Sequence, residues 1–301
     1  MPGWIGCAPQ GTQARLALVQ RRPDAAPLVR WVARADWSQP GNALRALRRS
    51  HQLHRHRRVA LLERAQYHCV TVDAPDVPAA DWRDALRWQL KDNVDFPVES
   101  AALDLLSVPA GASYRAQTQL IVVAAPEAQV QPLVDAAEDA GTRWQAIDID
   151  ETALRNLCAL VEPEGRAQAL LHCQAGHATL VVTYRGELLQ ARQIDLALAA
   201  LTSDAEPERI AAYDHAVLEL QRSLDGFERA FGQVSLAGLR VTPMPLQDAF
   251  CEHLRPLLFV PIQPFDAAAV LDLSAVPALA ADSLLLNQHL CAIGAALRDD
   301  A

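Results

Sequence analysis

ALLHCQAGHATLVVTYRGELLQARQI, residues Ala169 to Ile194, consists of three apolar runs cut by two short turns, Gln174 to His177 and Arg185-Gly186. Runs rich in Leu, Val and Thr, separated by turn residues, are the pattern of consecutive antiparallel strands. The segment therefore predicts a β-meander. Downstream of an Asp- and Glu-rich stretch, Asp214 to Phe231 places Val217, Leu220, Leu224, Phe227 and Phe231 on one stripe, which predicts an amphipathic helix. Short apolar runs broken by prolines follow, and a last helix is expected from about Ser283 to Arg298.

Upstream of the meander, Pro163 and Gly165 punctuate the chain and mark a boundary between two lobes, residues 1–163 and 164–301. In the first lobe Ala14 to Val19, Val59 to Leu62 and Cys69 to Val72 read as strands, with a basic helix over Gly41 to Leu53 packing Leu44, Leu47 and Leu53. From Pro78 the pattern changes. Asp81 is placed to cap a helix whose Trp82, Leu86 and Leu90 form one stripe, and Phe96-Pro97 ends it. Val98 to Val108 and Gln119 to Ala124 then read as strands, so a small α+β unit occupies roughly residues 66–125. Glu127 to Ala140 predicts a helix closed by Gly141, Trp144 to Ile149 a strand, and Glu151 to Val161 a helix.

Composition narrows the function classes. Half the residues are apolar and a fifth charged, as in globular proteins, so the chain is expected to fold. No apolar run approaches the roughly 20 residues of a membrane-spanning helix. The opening MPGWIGCAPQ lacks the basic and apolar regions of a signal peptide, and a cytoplasmic location is expected. Six cysteines without close pairs predict reduced thiols rather than disulfides or zinc. A net charge of −9 opposes a nucleic-acid role.

Three clusters invite chemistry. His51, His54, His56 and His68 interleave with Arg55, Arg57 and Arg58, whose charge repels a cation, so a solvated basic surface is the better reading than a metal site; its functional version is a patch facing an anionic leaflet or an acidic partner. Strand alternation sends His172 and Cys173 to opposite faces, which separates them as a base and nucleophile. Asp148, Asp150 and Glu151 fit a strand-to-helix junction, with Asp150 as N-cap, better than an acid–base pair.

The stretch ALRWQLKDNVDFPVES, Ala85 to Ser100, resembles the PilM-type family of type IV pilus assembly, and within it the MshI branch of mannose-sensitive haemagglutinin (MSHA) pilus biogenesis. IDIDETALRNLCAL (Ile147 to Leu160), LELQRSLDGFERAF (Leu218 to Phe231) and CAIGAALR (Cys291 to Arg298) resemble later segments in the same order. The resemblance implies an α/β, actin-like fold of two ribonuclease-H-like lobes, with a small α+β subdomain inserted in the first. It also implies ATP between the lobes, held by two phosphate hairpins and a glycine pair near the adenine. Here the first hairpin reads GCAPQGTQARL with Gly6, Gln10, Gly11 and Thr12 but no carboxylate; the second, HCQAGHATL, keeps Gly176 and Thr179; LAGLR keeps only Gly238. Glycines let backbone N–H groups approach phosphate, and carboxylates hold the metal. Losing the carboxylates implies a degenerate site, with no cofactor required and any bound ATP unhydrolysed.

The resemblance further implies a scaffold recruited to the inner face of the inner membrane by a bitopic assembly protein resembling MshJ or PilN, and coupled to an assembly motor. In such proteins a partner peptide docks between the first lobe and the insertion, and Trp82, Trp88 and Phe96 are the candidate contacts, Trp88 lying off the Trp82, Leu86, Leu90 stripe. Two alternatives stand beside this reading. One is a divergent actin-like ATPase drawing carboxylates from positions such as Asp148 or Asp195; the other is a scaffold of type II secretion, like the cytoplasmic domain of GspL.

Overall fold

The computed structural model describes residues 3–91, 94–113 and 117–298. The chain opens with a meander: β1 (Trp4–Gln10), β2 (Gln13–Arg22) and β3 (Ala25–Asp36) pair antiparallel in sequence order. α1 (Pro40–Ser50) leads to β4 (Arg57–Leu61), which joins β1 in parallel. The chain then leaves this sheet to build the insertion from β5 (His68–Asp73), α2 (Trp82–Leu90), β6 (Ala101–Ser107) and β7 (Gln119–Pro126). These strands form an antiparallel sheet in the order β5-β7-β6, and Leu86 and Leu90 of α2 pack on Leu120 and Val122 of its central strand. α3 (Glu127–Asp139) returns the chain, and β8 (Ala146–Asp148) completes the first sheet beside β4, giving the order β3-β2-β1-β4-β8.

After α4 (Asp150–Ala159) the same plan repeats. β9 (Ala167–Cys173), β10 (Ala178–Tyr184) and β11 (Glu187–Ile194) form the meander expected from Ala169 to Ile194. α5 (Leu198–Leu201) and the long α6 (Glu206–Phe231) intervene before β12 (Leu236–Val241) joins β9 in parallel. α7 (Gln247–Leu254) connects to β13 (Ile262–Pro264), and the sheet order is β11-β10-β9-β12-β13. α8 (Ala267–Val270), α9 (Pro277–Ala281) and α10 (Ser283–Ala296) close the chain. Each five-stranded sheet is thus a meander extended by two parallel strands on the side of its first strand.

Two helices join the lobes by packing on the sheet that their sequence position does not suggest. α4 follows the first sheet but packs on β9, β10 and β11, whereas α10 follows the second sheet but lies on β1 and β2 and crosses α4. Glycine makes the close approaches possible. A Cβ on Gly6 would stand 2.0 Å from the Ala292 carbonyl oxygen, and one on Gly294 would stand 2.3 Å from that of Ala153. Both contacts are against backbone, which cannot swing aside.

Local readings are corrected in two places. Asp81 caps nothing with its side chain, because Pro78 starts a 3₁₀ turn over Ala79–Asp81 that runs directly into α2. Asp150 is the first residue of α4 rather than its cap. Ile149 occupies the cap position, and the Thr152 hydroxyl donates to its carbonyl (2.8 Å) while accepting from its N–H (3.3 Å). The Asp150 carboxylate is thereby left to face the other lobe.

Candidate functional site

The junction between the lobes is built from residues far apart in sequence. Tyr67, just before β5, donates its hydroxyl to the Glu151 carboxylate at 2.5 Å. From the second lobe Gln174, in the β9–β10 turn, donates to Asp150 Oδ2 at 3.0 Å and lies 3.2 Å from the Cys291 sulfur of α10. The Cys291 thiol lies close enough to Asp150 for the two to perturb each other's ionisation. Burial raises the pKa of Glu151, opposed by the Tyr67 hydrogen bond, and burial raises that of Asp150, opposed by Gln174. The same burial, with the adjacent carboxylates, holds the Tyr67 phenol and the Cys291 thiol well above their ordinary values. Above this layer Arg64, Ala65, Tyr67 and His68 of the first half face His177 and Gln193 of the second across an open cavity of about 460 Å³. His177 Nε2 and Arg64 Nε are buried without a hydrogen-bond partner, and burial lowers the His177 pKa.

The expected nucleotide-site residues fall in different surroundings. Gln10, Gly11 and Thr12 form the exposed β1–β2 turn, but the Gly11 N–H donates to Glu63 Oε2 at 3.0 Å. A carboxylate thus occupies the amide that a phosphate oxygen would take. Gly6 lies in the middle of β1 beneath α10, away from that turn. In the second hairpin Gly176 sits in the turn with open space around its Cα, whereas Thr179 is buried in β10 opposite His172. Gly238 does not join them. It lies in a bulge of β12, opposite the start of β9, where a Cβ would meet the Pro261 carbonyl oxygen at 2.6 Å and where its own carbonyl accepts from Gln168 (2.8 Å). Its glycine is required by strand packing at the end of the sheet away from the β9–β10 turn.

The other reactive-looking groups are engaged structurally. His172 is buried with Nδ1 2.9 Å from the Thr242 hydroxyl, and burial, reinforced by His177, lowers its pKa to about 3. Burial pushes the Cys173 thiol up to about 12. Asp148 is bound by Arg298, and His215 reaches the Asp195 backbone carbonyl rather than its carboxylate. The histidines do not converge: His51 lies tilted against Trp31, His56 Nδ1 accepts from the Gly3 N–H, and His68 faces Asp95. Among the described residues no three His, Cys, Asp or Glu side chains are grouped to hold a metal ion, and no helix is long and apolar enough to cross a membrane.

On the insertion, Trp82 packs against the Leu86–Leu90 stripe and donates its indole N–H to the Val77 carbonyl (3.1 Å). Phe96 packs on the same cluster and tilts against His68, with ring centroids 5.5 Å apart. Trp88 is different: 75 % of its surface is exposed on α2. The three aromatics therefore divide into two core-facing side chains and one presented to solvent. Residues 92 and 93 of the ALRWQLKDNVDFPVES stretch lie outside the described residues.

No protein-family model matches the chain, and no curated protein matches it in sequence. Solved structures do match. A structure described as the PilM–PilN type IV pilus biogenesis complex superposes with a TM-score of 0.73 at 20 % identity, covering 98 % of both chains. A Bacteroides thetaiotaomicron protein described as having an actin-like ATPase fold and unknown function matches with a TM-score of 0.52 at 10 % identity, over 91 % of this chain and 95 % of that one. The fold is actin-like. The cytoplasmic domain of EpsL, an inner-membrane component of the Vibrio cholerae type II secretion system, matches with a TM-score of 0.47 at 13 % identity, over 67 % of this chain and 75 % of that one. Sequence reasoning missed Glu63, Tyr67 and Gln174, since each is an ordinary polar residue until the fold brings it to Gly11, Glu151 or Asp150.

Proposed function

We propose that this protein is a cytoplasmic scaffold of a type IV pilus assembly platform, of the MSHA type, held at the inner membrane by the cytoplasmic tail of a PilN- or MshJ-like partner. The observation that carries the reading is Trp88, a large aromatic presented to solvent on the inserted subdomain of a chain that superposes over its whole length on a PilM–PilN complex. Exposed aromatics beside a packed core are frequent anchors of protein interfaces. Trp82 and Phe96 pack on the core of the same subdomain and would fix the surface from which Trp88 projects. The nucleotide cleft supports a binding role rather than turnover. Neither hairpin offers a carboxylate for magnesium, and Glu63 both occupies the Gly11 amide and repels a phosphate. Asp150 and Glu151 are committed to Gln174 and Tyr67.

Two titrations by calorimetry test the reading. A peptide copied from the partner's cytoplasmic tail is expected to bind the wild-type chain, and Trp88→Ala is expected to weaken it by at least about thirtyfold, the cost of removing an interface anchor worth about 2 kcal/mol or more. Because Trp88 is exposed, the variant should unfold at the wild-type temperature. Equal binding by the folded variant would refute the assignment of Trp88. Mg-ATP turnover that survives purification and disappears on mutation of a cleft residue would refute the scaffold reading.

A further inference from the structure

Charge is unevenly distributed in this chain. Residues 1–62 hold eleven arginines and no lysine against Asp24 and Asp36, a balance of +9; with −9 on the whole chain, the remainder carries −18. Such asymmetry is a mark of proteins that meet an anionic surface. The fold gathers part of the positive charge on one face. α1 buries Leu44 and Leu47 and turns Arg45, Arg48 and Arg49 to solvent, and His54 and Arg55 are exposed just beyond it.

The end of α3 fixes two of these side chains. Arg45 donates to the Asp139 carbonyl (3.3 Å) and Arg48 to the Ala140 carbonyl (3.1 Å), a favourable place for cations at a helix C-terminus. The Arg49 and Arg55 guanidinium groups are left without a hydrogen bond or ion pair among the described residues. Arg45, Arg48, Arg49 and His54 line one open depression of about 570 Å³. Two carboxylates border it, Glu138 and Asp139, and Glu138 faces Arg143 at 3.3 Å.

We infer that this arginine face of α1 docks directly on a bilayer of anionic lipids, with phosphate headgroups meeting Arg49 and Arg55. Attraction acts only within about 8 Å at physiological ionic strength, so the patch feels the bilayer while the −18 on the remainder of the chain is largely screened. A negative protein can then bind a negative surface, and in one orientation only. A nucleic acid is the other polyanion to consider. It binds tightly through many phosphate contacts along a stripe and would run on past this patch into repulsive surface, whereas a bilayer is approached from one side.

The test is sedimentation of the purified chain with phosphatidylglycerol-containing vesicles and with pure phosphatidylcholine vesicles. It requires no partner, so its failure leaves the partner reading standing, and the reverse. Binding to the anionic vesicles alone is expected, weakening as salt rises. Each arginine near such a surface is worth about fivefold in partitioning, so Arg49→Glu/Arg55→Glu should reduce binding by at least about 25-fold. Arg192→Glu/Arg229→Glu, two exposed residues of the second half with the same change in net charge, should leave it within about twofold. No binding to phosphatidylglycerol vesicles overturns the inference. Equal loss in both double variants overturns it too, because the effect then belongs to net charge. Tighter binding to a short DNA duplex than to vesicles assigns the face to nucleic acid and equally overturns it.

Discussion

His172 stands in the second hairpin at a position where the resemblance leads one to expect an acid, and its environment makes a quantitative prediction. The side chain is buried in β9 and its pKa falls from an ordinary 6.5 to about 3. A base whose folded-state pKa is depressed costs nothing above 6.5, where it is neutral in both states. Below 6.5 the unfolded chain takes up a proton that the folded chain refuses, so stability is lost as pH falls toward about 3. The single-site loss is about 2 kcal/mol at pH 5 and about 4 kcal/mol at pH 3. Urea unfolding followed by tryptophan fluorescence at several pH values, on the wild type and on His172→Gln, isolates this contribution. Glutamine does not titrate and carries an amide for the Thr242 hydroxyl. Asp150, Glu151, His177 and His289 titrate in both proteins and cancel in the difference. The stability difference should move in favour of the variant by about 2 kcal/mol between pH 7 and pH 5. A difference that stays flat would mean that His172 is solvated in the folded state, and would reopen the second hairpin as a polar ligand site.

Glu151 should behave in the opposite sense: its folded pKa is raised above 4.5, so its burial costs stability as pH rises through and beyond that value, and Glu151→Gln should gain on the wild type over that rise in the same urea assay. The two glycines Gly294 and Gly176 should separate cleanly in thermal unfolding. Gly294→Ala drives a methyl into the Ala153 carbonyl and should cost roughly 1–3 kcal/mol, whereas Gly176→Ala meets open space and should stay within about 0.5 kcal/mol.

Much of the fold was legible because its elements carry their own patterns. The β9–β11 meander, the inserted unit and α10 appear where alternation, proline punctuation and helical spacing put them. The boundaries that slipped lack such patterns. α6 starts at Glu206 rather than Asp214: its first turn, Glu206 to Arg209, is polar, and of the next turn Ile210 stays exposed while Tyr213 alone is buried to carry the stripe back from Val217. β1 carries Gly6 and Pro9, which interrupt the run of β-forming residues that announces a strand; Gly6 is there because α10 needs the space. Gly238 was misread for the same reason. A glycine in a sequence says that a Cβ is unwelcome, and only the neighbouring backbone says whether a ligand or Pro261 is the cause. The polar set across the cleft was illegible altogether, because Tyr67, Glu151, Gln174 and Cys291 are brought together by the crossing of α4 and α10.

That crossing bears on how the molecule works. Asn287 at the start of α10 donates to the carbonyls of Cys173 (3.1 Å) and Pro243 (2.9 Å) in the second lobe, while Gly294 further along lies against α4 and its carbonyl accepts from Asn156 (2.9 Å). Arg22 of β2 pairs with Asp272 (2.7 Å), whose backbone N–H and carbonyl also bond to Pro27 and Val29. Gln174 reaches Asp150 across the cleft itself. Opening the lobes would have to break hydrogen bonds at all of these places, several of them buried, with each lost bond costing about 1 kcal/mol or more. A nucleotide can drive such a motion only through a difference in its affinity for the two states. The Gly11 amide that would sense it already holds Glu63. Lobes tied together in this way, with an exposed Trp88 on one subdomain and an arginine face on α1, would suit the scaffold role proposed above, in which two surfaces are held at a fixed distance.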